Sequence, residues 1–339
     1  MNKLKYLNKL LYIILLIIGI SCSSSSEKVK IGMMLPNTVK ERYPKERDYL
    51  IAKVKEQGGE VLVADAKNDD KLQIIQAEEL INSGINVLVV IAVNKNTAAN
   101  IVRSAHNKGI KVIAYERIIS NCDLDYFISF NNVKIGELLA SYALQKKPGG
   151  NVVLLGGDKR DQNAVWVREG ELKILKSKEN SDKIKIVYDI YVEDWSGDNA
   201  YYETKRYLNL SASVPDIILS SSDAMSLGAI KALEENGTDL AQFPLITGQN
   251  AEISACRNIL IGKQCMTVYK PIKNEAEEAA VLAIKLAKKE KVENLNHTSF
   301  NGKINVPSIL LEPIAVDKSN LRSVIIESGF QKEADIYSK

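Results

Sequence analysis

Side chains that can form paired hydrogen bonds recur in this sequence just after short apolar runs. Glu116 and Arg117 directly follow the run 111–115, and Asp161 comes shortly after the run 151–155. Carboxylate, amide and guanidinium groups can each engage two neighbouring hydroxyls of a ligand. The polar and aromatic residues in such positions are Arg42, Tyr43, Glu116, Arg117, Asp161, Gln162, Asn163, Asp194, Trp195, Ser222, Asp223, Gln249, Asn250 and Lys270.

Two members of this set are aromatic, Tyr43 and Trp195, and they lie in different halves of the chain. The C–H faces of a sugar ring pack on aromatic rings, while its hydroxyls need both donors and acceptors. A buried polar site also rejects analogues that lack a hydroxyl, because its own groups would be left unpaired. A sugar is therefore the ligand class that these residue types favour.

Each residue also has a purely structural interpretation. Asp161 and Asp223 precede helical stretches and are candidates for helix N-caps. Arg42 and Arg117 are candidates for surface ion pairs, and Trp195 is a candidate core residue. Their joint placement at predicted strand ends favours binding over these alternatives.

The elements that must position these residues alternate along the chain. From Val29 onward, β-rich runs such as 87–93 are followed by amphipathic stretches such as 133–145, whose apolar residues have helical spacing. Residues 148–150, Pro-Gly-Gly, interrupt the pattern, which then restarts. Continuous apolar strands bracketed by helices indicate parallel sheets covered on both faces. The predicted fold class is α/β, with two doubly wound parallel-sheet lobes that bind their ligand beyond the carboxyl ends of the strands.

Three further segments complete the prediction of elements. Residues 48–57 predict the helix after the first strand, because two glycines directly follow them and end the helix. Near the end of the chain, residues 307–316 are β-like, and residues 321–328 predict a last helix.

Composition narrows the function classes. The chain has 339 residues, of which 45% are hydrophobic and 26% charged, which is typical of soluble globular proteins. A chain of this length usually divides into two domains. The net charge of +3, from 45 basic and 42 acidic residues, gives no reason to expect nucleic-acid binding. The two histidines leave little room for a His-based metal site or a catalytic triad. We expect neither a metal nor a cofactor.

The N-terminus has the pattern of an export signal. Three lysines precede the apolar run 10–20, which is too short to span a membrane and is typical of a secretory signal. Ser21, Cys22 and the serines that follow resemble a bacterial lipoprotein signal, whose Cys becomes the lipidated first residue of the mature chain. We predict a signal peptide at residues 1–21, lipidation at Cys22 and a tether at residues 22–28. An ordinary secretory signal with an incidental Cys is the alternative.

Three cysteines follow Cys22: Cys122, Cys256 and Cys265. They show no CxxC spacing, so a zinc site and a thioredoxin-like redox site are unsupported. An oxidising compartment permits a disulfide between Cys256 and Cys265. Buried free thiols are the interpretation that we favour.

In their order along the chain, the strand-end residues resemble those of bacterial periplasmic sugar-binding proteins of the ribose, xylose and galactose class, the type I periplasmic binding proteins. Among them, the D-xylose-binding proteins of ABC transporters are the best match. The resemblance extends over residues 29–333 and is carried by the stretches 113–117, 128–132, 248–249 and 266–271. The last stretch, Met-Thr-Val-Tyr-Lys-Pro, is the most distinctive.

The resemblance implies two lobes joined by three crossing segments, which act as a hinge. The crossings are expected near residues 130–132, 269–272 and 301–304. The N-terminal lobe would then hold residues 29–131 and 271–302, and the C-terminal lobe residues 132–270 and 303–339.

The resemblance also assigns a sugar site. Its contacts would be Tyr43 as a facing aromatic residue together with Arg42, Glu116, Arg117, Asp161, Asn163, Trp195, Ser222, Asn250 and Lys270. This sequence departs from the family at three of them, since the family has Asp, Asn and Asp where Glu116, Ser222 and Asn250 stand. Glu116 reaches one methylene further, Ser222 loses a bidentate amide and Asn250 loses a charge. A xylose-like pentose and a hexose such as glucose both remain open.

By the same resemblance, the chain is expected to be an extracytoplasmic lipoprotein that captures a monosaccharide as its lobes close. It would deliver the sugar to the permease of an ABC transporter. We expect a monomer in the periplasm, anchored to the bacterial cell membrane through the lipid on Cys22. A sugar-sensing protein that signals to a chemoreceptor or a sensor kinase is the alternative.

Two other classes are disfavoured. A repressor of the lactose-repressor type shares the two lobes, but it carries an N-terminal helix-turn-helix where this chain has an export signal. An enzyme would need a proton donor, and Glu116 with Asp161 would be the candidate glycosidase pair. Because Arg117 follows Glu116 directly, this acid is expected to be ion-paired and a poor proton donor. We therefore expect no enzymatic activity.

Overall fold

The computed structural model describes residues 28–39, 42–177, 182–211 and 213–337. The predicted signal peptide, the lipidation at Cys22 and all but the last residue of the predicted tether lie outside the described residues. None of the helices within the described ranges is long and apolar enough to cross a membrane.

Strands and helices alternate through most of the described chain. The strands are β1 (Lys30–Leu35), β2 (Glu60–Asp65), β3 (Val87–Val90), β4 (Lys111–Tyr115), β5 (Tyr126–Phe130), β6 (Gly150–Gly156), β7 (Ile184–Tyr191), β8 (Ile217–Ser220), β9 (Leu245–Ile246), β10 (Thr267–Tyr269), β11 (His297–Phe300), β12 (Asn305–Leu311) and β13 (Ile314–Val316). The α-helices are α1 (Arg42–Glu56), α2 (Asp70–Asn82), α3 (Ala99–His106), α4 (Asn132–Lys146), α5 (Gln162–Leu175), α6 (Gly197–Leu210), α7 (Asp223–Glu235), α8 (Ile253–Ile261), α9 (Ile272–Ala287) and α10 (Glu333–Tyr337).

The first lobe is built on a seven-stranded sheet in the order β11-β12-β5-β4-β3-β1-β2. Every pairing in it is parallel except that of β11 with β12. All four residues of β3 are buried, as expected for a parallel strand covered on both faces. Successive residues of β1 face opposite sides, so Ile31 and Met33 pack with α1 and α9, whereas Met34 packs with α2 and α3.

The second lobe is built on a four-stranded parallel sheet in the order β7-β6-β8-β9. A parallel bridge between Gln249 and Val268 adds β10 to this sheet, and β10 pairs antiparallel with β13. Helices cover both faces here as well. Val152 of β6 packs with α4 and α5, and its neighbour Val153 packs with α6 and α7.

Helices α4 and α5 lie unusually close together because each carries a glycine at the contact. A Cβ atom on Gly136 would lie 1.9 Å from the carbonyl oxygen of Val167, and Gly170 meets the facing helix in the same way. The first turns of these helices carry Asn132 and Asn163, whose side chains are joined by a 3.0 Å hydrogen bond. The glycine contact therefore sets the separation of two residues near the cleft between the lobes.

The described chain crosses between the lobes three times. It passes from β5 to α4 at residues 130–132 and from β10 to α9 at residues 269–272. The predicted third crossing at residues 301–304 is wrong, because β11 and β12 both belong to the first sheet, where β12 pairs with β5. The chain crosses instead between β12 and β13, so residues 303–311 belong to the first lobe and not, as predicted, to the second.

Helix α1 begins at Arg42, which is earlier than the predicted start near residue 48. The sequence pattern does not show the first two turns, because the charged residue Glu46 interrupts the apolar periodicity of the buried face. The buried residues of the helix are Tyr43, Glu46, Leu50 and Val54.

The region after β11 also differs in detail from the sequence prediction. Residues 307–316 form parts of two strands, β12 and β13, because Pro313 lies between them and has no N–H group to donate to a sheet. The predicted helix at 321–328 is a short π-helical stretch, Arg322–Ile326.

Within the described residues, Cys122, Cys256 and Cys265 form no disulfide bond. Cys122 and Cys256 are buried, and Cys265 is half-buried. Burial raises the pKa of Cys122 to about 11 and that of Cys265 to about 12. Both thiols are therefore protonated at neutral pH and are poor nucleophiles.

We expect Gly136→Ala to destabilise the protein, because the added methyl group would overlap the backbone of α5. Such overpacking typically costs about 1–3 kcal/mol in the free energy of unfolding. Ser141→Ala, on an exposed position of the same helix, is the matched control and should change this free energy by less than about 0.5 kcal/mol. Urea denaturation measures both. Equal stability of the two variants would contradict the close helix contact.

Candidate functional site

A cavity of about 270 Å³ lies between the lobes, beyond the carboxyl ends of their parallel strands. The residues of the predicted sugar site all line it: Arg42, Tyr43, Glu116, Arg117, Asp161, Asn163, Trp195, Ser222, Asn250 and Lys270. The other residues in its lining are Val39, Lys45, Asn132, Ala224, Gln249, Glu252 and Phe330. This cavity thus brings together residues from both lobes.

Three strand-end residues from the sequence analysis do not line this cavity. Asp194 is exposed and forms an ion pair with Arg160 at 2.8 Å. Gln162 accepts a hydrogen bond from Lys95 at 3.1 Å. Asp223 is fully buried. Placement after a strand is therefore not sufficient, because the direction of the side chain decides which residues reach the cavity.

Two residues of the lining also cap helices. Asp161 is the N-cap of α5 and accepts a 2.9 Å hydrogen bond from the backbone N–H of Asn163. Ser222 is the N-cap of α7 and accepts from the N–H of Met225 at 3.3 Å. The N-cap interpretation is thus correct for Asp161 and wrong for Asp223, because Ser222 is the N-cap of α7.

The backbone is left-handed at three residues of the lining. The φ angles are +61° at Glu116, +54° at Trp195 and +105° at Asn250. Residues other than glycine rarely adopt such angles, which occur in turns and are enriched at functional sites. The backbone of Glu116 is fixed by neighbours, since its carbonyl oxygen accepts from Ser129 Oγ at 2.9 Å and from Asn163 Nδ2 at 2.8 Å.

The carboxylate of Glu116 lies between two cations. Its Oε1 accepts from Arg42 Nη1 at 2.6 Å and from Lys270 Nζ at 3.0 Å. Burial alone would raise the pKa of this carboxyl, but the two positive charges outweigh burial and lower the pKa to about 2. Glu116 is therefore a permanent anion at neutral pH and not a proton donor.

Two more buried carboxyl groups lie behind this cluster. Glu46, one turn after Arg42 on α1, accepts from Arg42 Nε at 2.8 Å, and Glu275 of α9 lies 3.5 Å from the same guanidinium. Both glutamates are fully buried, and each has one oxygen with no hydrogen-bond partner among the described residues. Three carboxyl groups thus face two cations, Arg42 and Lys270, in a space with little solvent.

Burial raises the pKa of Glu46 to about 7, although Arg42 opposes the shift. Burial and the neighbouring carboxylates Glu116 and Glu46 raise the pKa of Glu275 well above its ordinary value. This shift favours the neutral form of the Glu275 carboxyl group. A proton shared by Glu46 and Glu275 would make the number of negative charges equal to the number of cations, which avoids the large cost of an unpaired buried charge.

Arg117 joins the lobes at another point of the lining. Its Nε lies 3.1 Å from Asp161 Oδ2, and its Nη2 donates to the Tyr43 hydroxyl at 3.2 Å. Its Nη1 donates to the carbonyl oxygen of Ala92 at 3.2 Å, which fixes the plane of the guanidinium. The interpretation of Arg117 as a surface ion-pair former is wrong, because its ion pair with Asp161 lies in the wall of the cavity. The expected pairing of Glu116 with Arg117 is also wrong, because Glu116 pairs with Arg42 and Lys270.

The ring of Trp195 lies flat against the backbone at Gly157, where an added Cβ atom would approach the ring to 2.3 Å. Its indole nitrogen is buried and has no hydrogen-bond partner among the described residues. Trp195 packs against the core of the second lobe and also lines the cavity, so its core and binding interpretations are both correct in part.

The loop that carries Asn250 is held by the buried Asp223. The carboxylate accepts from Gln264 Nε2 at 2.9 Å, from Thr267 Oγ1 at 2.9 Å and from the backbone N–H of Glu252 at 3.0 Å. Burial raises the pKa of Asp223 to about 6, against the effect of these hydrogen bonds. Asp223 therefore acts on the cavity indirectly, through the position of this loop.

Sequence reasoning missed several residues of the lining. Asn132 is the second residue after the end of β5, and a search of the residues after that strand would have found it. Lys45, in the first turns of α1, and Phe330, near the C-terminus, are far from any strand end and carry no such signal.

A family model of the periplasmic binding protein domain matches residues 31–291 of the chain. The chain belongs to the periplasmic binding protein family. It is 41% identical over 317 residues to the D-xylose-binding periplasmic protein of Haemophilus influenzae, which covers 94% of this chain and 95% of the relative. It is 38% identical over 314 residues to the protein of the same name from Escherichia coli, with 93% and 94% covered.

Solved structures of this family show the same architecture. An ABC transporter solute binding protein from Clostridium phytofermentans, with bound β-D-glucose, matches with a TM-score of 0.83 and 27% identity. The match covers 91% of this chain and 99% of that one. The predicted fold class and the predicted resemblance to periplasmic sugar-binding proteins are confirmed. The roles of the individual lining residues remain predictions.

The raised pKa of Glu46 in this periplasmic binding protein makes stability depend on pH. The folded chain holds a proton on Glu46 up to about pH 7, whereas the unfolded chain loses it near the ordinary value of 4.5. Protonation therefore stabilises the folded state at low pH, and this contribution is lost as the pH rises through 7. Between about pH 4.5 and pH 7, we expect the titration of Glu46 to lower the free energy of unfolding by up to about 1.4 kcal/mol per pH unit.

Urea denaturation between pH 5 and pH 8 tests this expectation. The range extends from about two pH units below the shifted pKa of Glu46 to about one unit above it. Glu46→Gln removes the titrating group and should flatten the curve relative to the wild-type chain. Glu56→Gln, at an exposed position of the same helix, is the control and should keep the wild-type slope. An unchanged slope in Glu46→Gln would show that Glu46 does not titrate in this range.

Proposed function

We propose that the chain is an extracytoplasmic binding lipoprotein that captures a monosaccharide between its lobes and delivers it to the permease of an ABC transporter. The observation that carries this proposal is the cavity, whose lining combines carboxylates, amides, guanidinium groups and aromatic rings from both lobes. The names of the similar proteins, which are D-xylose-binding and glucose-bound, support the same ligand class. The family match supports a binding protein and not an enzyme.

The size of the cavity supports a single sugar ring. Its volume of about 270 Å³ is at or below the lower end of the range of small-molecule sites, which runs from about 300 to 1,000 Å³. Arg42, Tyr43, Glu116 and Arg117 line it from the first lobe, and Trp195 and Asn250 are among those from the second. Sugar binding would stabilise the closed form, because only that form lets both sets of groups contact one ligand.

The identity of the sugar depends on the three residues that depart from the family pattern. The longer Glu116 directs one oxygen to both Arg42 and Lys270, and Ser222 Oγ already accepts from its own helix. Both residues therefore present fewer free groups to a ligand than a bidentate Asp or Asn would. We propose a xylose-like pentose or a hexose such as glucose, and expect less strict selection between them.

Calorimetry with a panel of pentoses and hexoses tests the proposal. We expect one or more of them to bind, and Arg117→Ala and Trp195→Ala to weaken binding by about a hundredfold or more, since each removes a large part of the buried contact. Arg103→Ala, an exposed arginine of α3, is the matched control and should bind like the wild-type chain. Wild-type affinity in both cavity variants would refute the site.

The membrane anchor is a separate part of the proposal and needs its own experiment. Cells that express the chain and grow with labelled palmitate should incorporate label into the protein. Cys22→Ala should abolish the label, while Cys122→Ala, a buried thiol, should keep it. Absence of label in the wild-type chain, or label that persists in Cys22→Ala, would remove lipidation from the proposal and leave sugar capture untouched.

A further inference from the structure

A lysine of the first lobe reaches the C-terminal segment of the chain. Lys45 Nζ donates to the carbonyl oxygen of Phe330 at 3.3 Å and to Gln331 Oε1 at 3.1 Å. The same ammonium group lies 4.6 Å from the centre of the Phe330 ring, within range of a cation–π interaction. Three contacts thus join α1 to residues that follow the last crossing between the lobes.

The C-terminal segment is fixed to the second lobe. The ring of Phe330 packs on the ring of Tyr269 with 4.7 Å between their centres. Further along, the buried Ile336 packs in the same hydrophobic cluster as Ala251 and other residues of the second lobe. The guanidinium of Arg257 on α8 donates to the carbonyl oxygen of Asp335. The contacts of Lys45 therefore connect one lobe to the other.

Gln331 connects Lys45 to the loop that carries Asn250, a residue of the predicted sugar site. While its Oε1 accepts from Lys45, its Nε2 donates to the carbonyl oxygen of Ala251 at 3.1 Å. Ala251 directly follows Asn250, and the backbone is left-handed at both. Only 4% of the surface of Gln331 is exposed, so the bonds of its amide are shielded from water and are costly to lose.

Lys45 lies on the helix that also carries two residues of the cavity lining, so its contacts with the second lobe affect the cavity. Arg42 and Tyr43 lie within one turn before Lys45 on the same helix, and both line the cavity. Fixing Lys45 against the second lobe therefore fixes the distance between the first turn of α1 and the Asn250 loop. Phe330 itself also lines the cavity.

We propose that Lys45, Phe330 and Gln331 form a cross-lobe bridge that sets the two halves of the ligand site against each other, with Phe330 as a third aromatic residue in the wall. Lys45 and Gln331 are positioning residues, because they act through α1 and through the Asn250 loop. The inference rests on the proposed function, since the retained ligand is the captured monosaccharide.

Sugar binding by single and double variants tests the bridge. With the panel sugar that binds the wild-type chain most tightly, we expect Lys45→Ala and Gln331→Ala each to weaken binding about tenfold, as loss of a charge-assisted hydrogen bond predicts. Most of the change should appear as faster dissociation in stopped-flow measurements of intrinsic tryptophan fluorescence. The double variant should bind no more weakly than Gln331→Ala alone, because both changes break the same connection.

Two further variants separate positioning from a general loss of stability. Lys45→Arg keeps the charge and the donors and should restore most of the affinity, whereas Lys45→Met keeps only the apolar stem and should not. Lys53→Ala is the control, since Lys53 lies on the same helix and pairs with Glu56 at 2.9 Å within that helix. It should bind like the wild-type chain.

Affinities of Lys45→Ala and Gln331→Ala within twofold of the Lys53→Ala control would overturn the bridge, and so would additive effects in the double variant. Equal binding by Lys45→Met and Lys45→Arg would overturn the role of the charge. If the wild-type chain bound none of the sugars, the proposed function would fail, and the role of the bridge in sugar retention would fail with it.

Discussion

The ion pairs of Glu116 hold together parts of the chain that are far apart in sequence. Arg42 belongs to the first turn of α1, and Lys270 to the second crossing between the lobes, and both donate to the same carboxylate oxygen. The carbonyl group of Glu116 accepts from Asn163 of the second lobe. All of these groups are largely buried, so removing one charge would leave its partner as an unpaired buried charge. The cost of such an unpaired charge is much larger than the net stabilisation that the intact ion pair provides.

The buried carboxyl groups behind this pair follow from the same constraint. Arg42 sits under the cavity and needs negative partners on its inner side, which Glu46 and Glu275 supply. A third full negative charge would exceed the two cations, and burial beside Glu116 and Glu46 raises the pKa of Glu275 well above its ordinary value. The raised pKa values of these two carboxyl groups limit the negative charge at the base of the cavity, and the pKa of Glu46, about 7, makes the stability of the fold sensitive to pH.

The sequence was sufficient for those parts of the site that follow from the geometry of parallel sheets. Their strands end at one edge, so the polar residues after them meet there. The prediction from the strand ends failed for Asp223, which follows a strand but is buried within the protein. Glu275 lies inside a helix, and nothing in its neighbours shows that it is buried beside Arg42. Lys45 and Phe330 reach the cavity through tertiary contacts that no local pattern encodes.

The charges in the lining argue for an uncharged ligand. Each of the ion-paired cations already has a carboxylate partner: Glu116 serves Arg42 and Lys270, and Asp161 serves Arg117. An anionic ligand would have to displace one of these carboxylates or add a buried negative charge, and either change is costly. Hydroxyl groups can use the remaining donors and acceptors without breaking a pair, since a guanidinium has five N–H donors and a carboxylate about four acceptor sites. A neutral monosaccharide is therefore a better fit to this electrostatic arrangement than a sugar acid or a sugar phosphate.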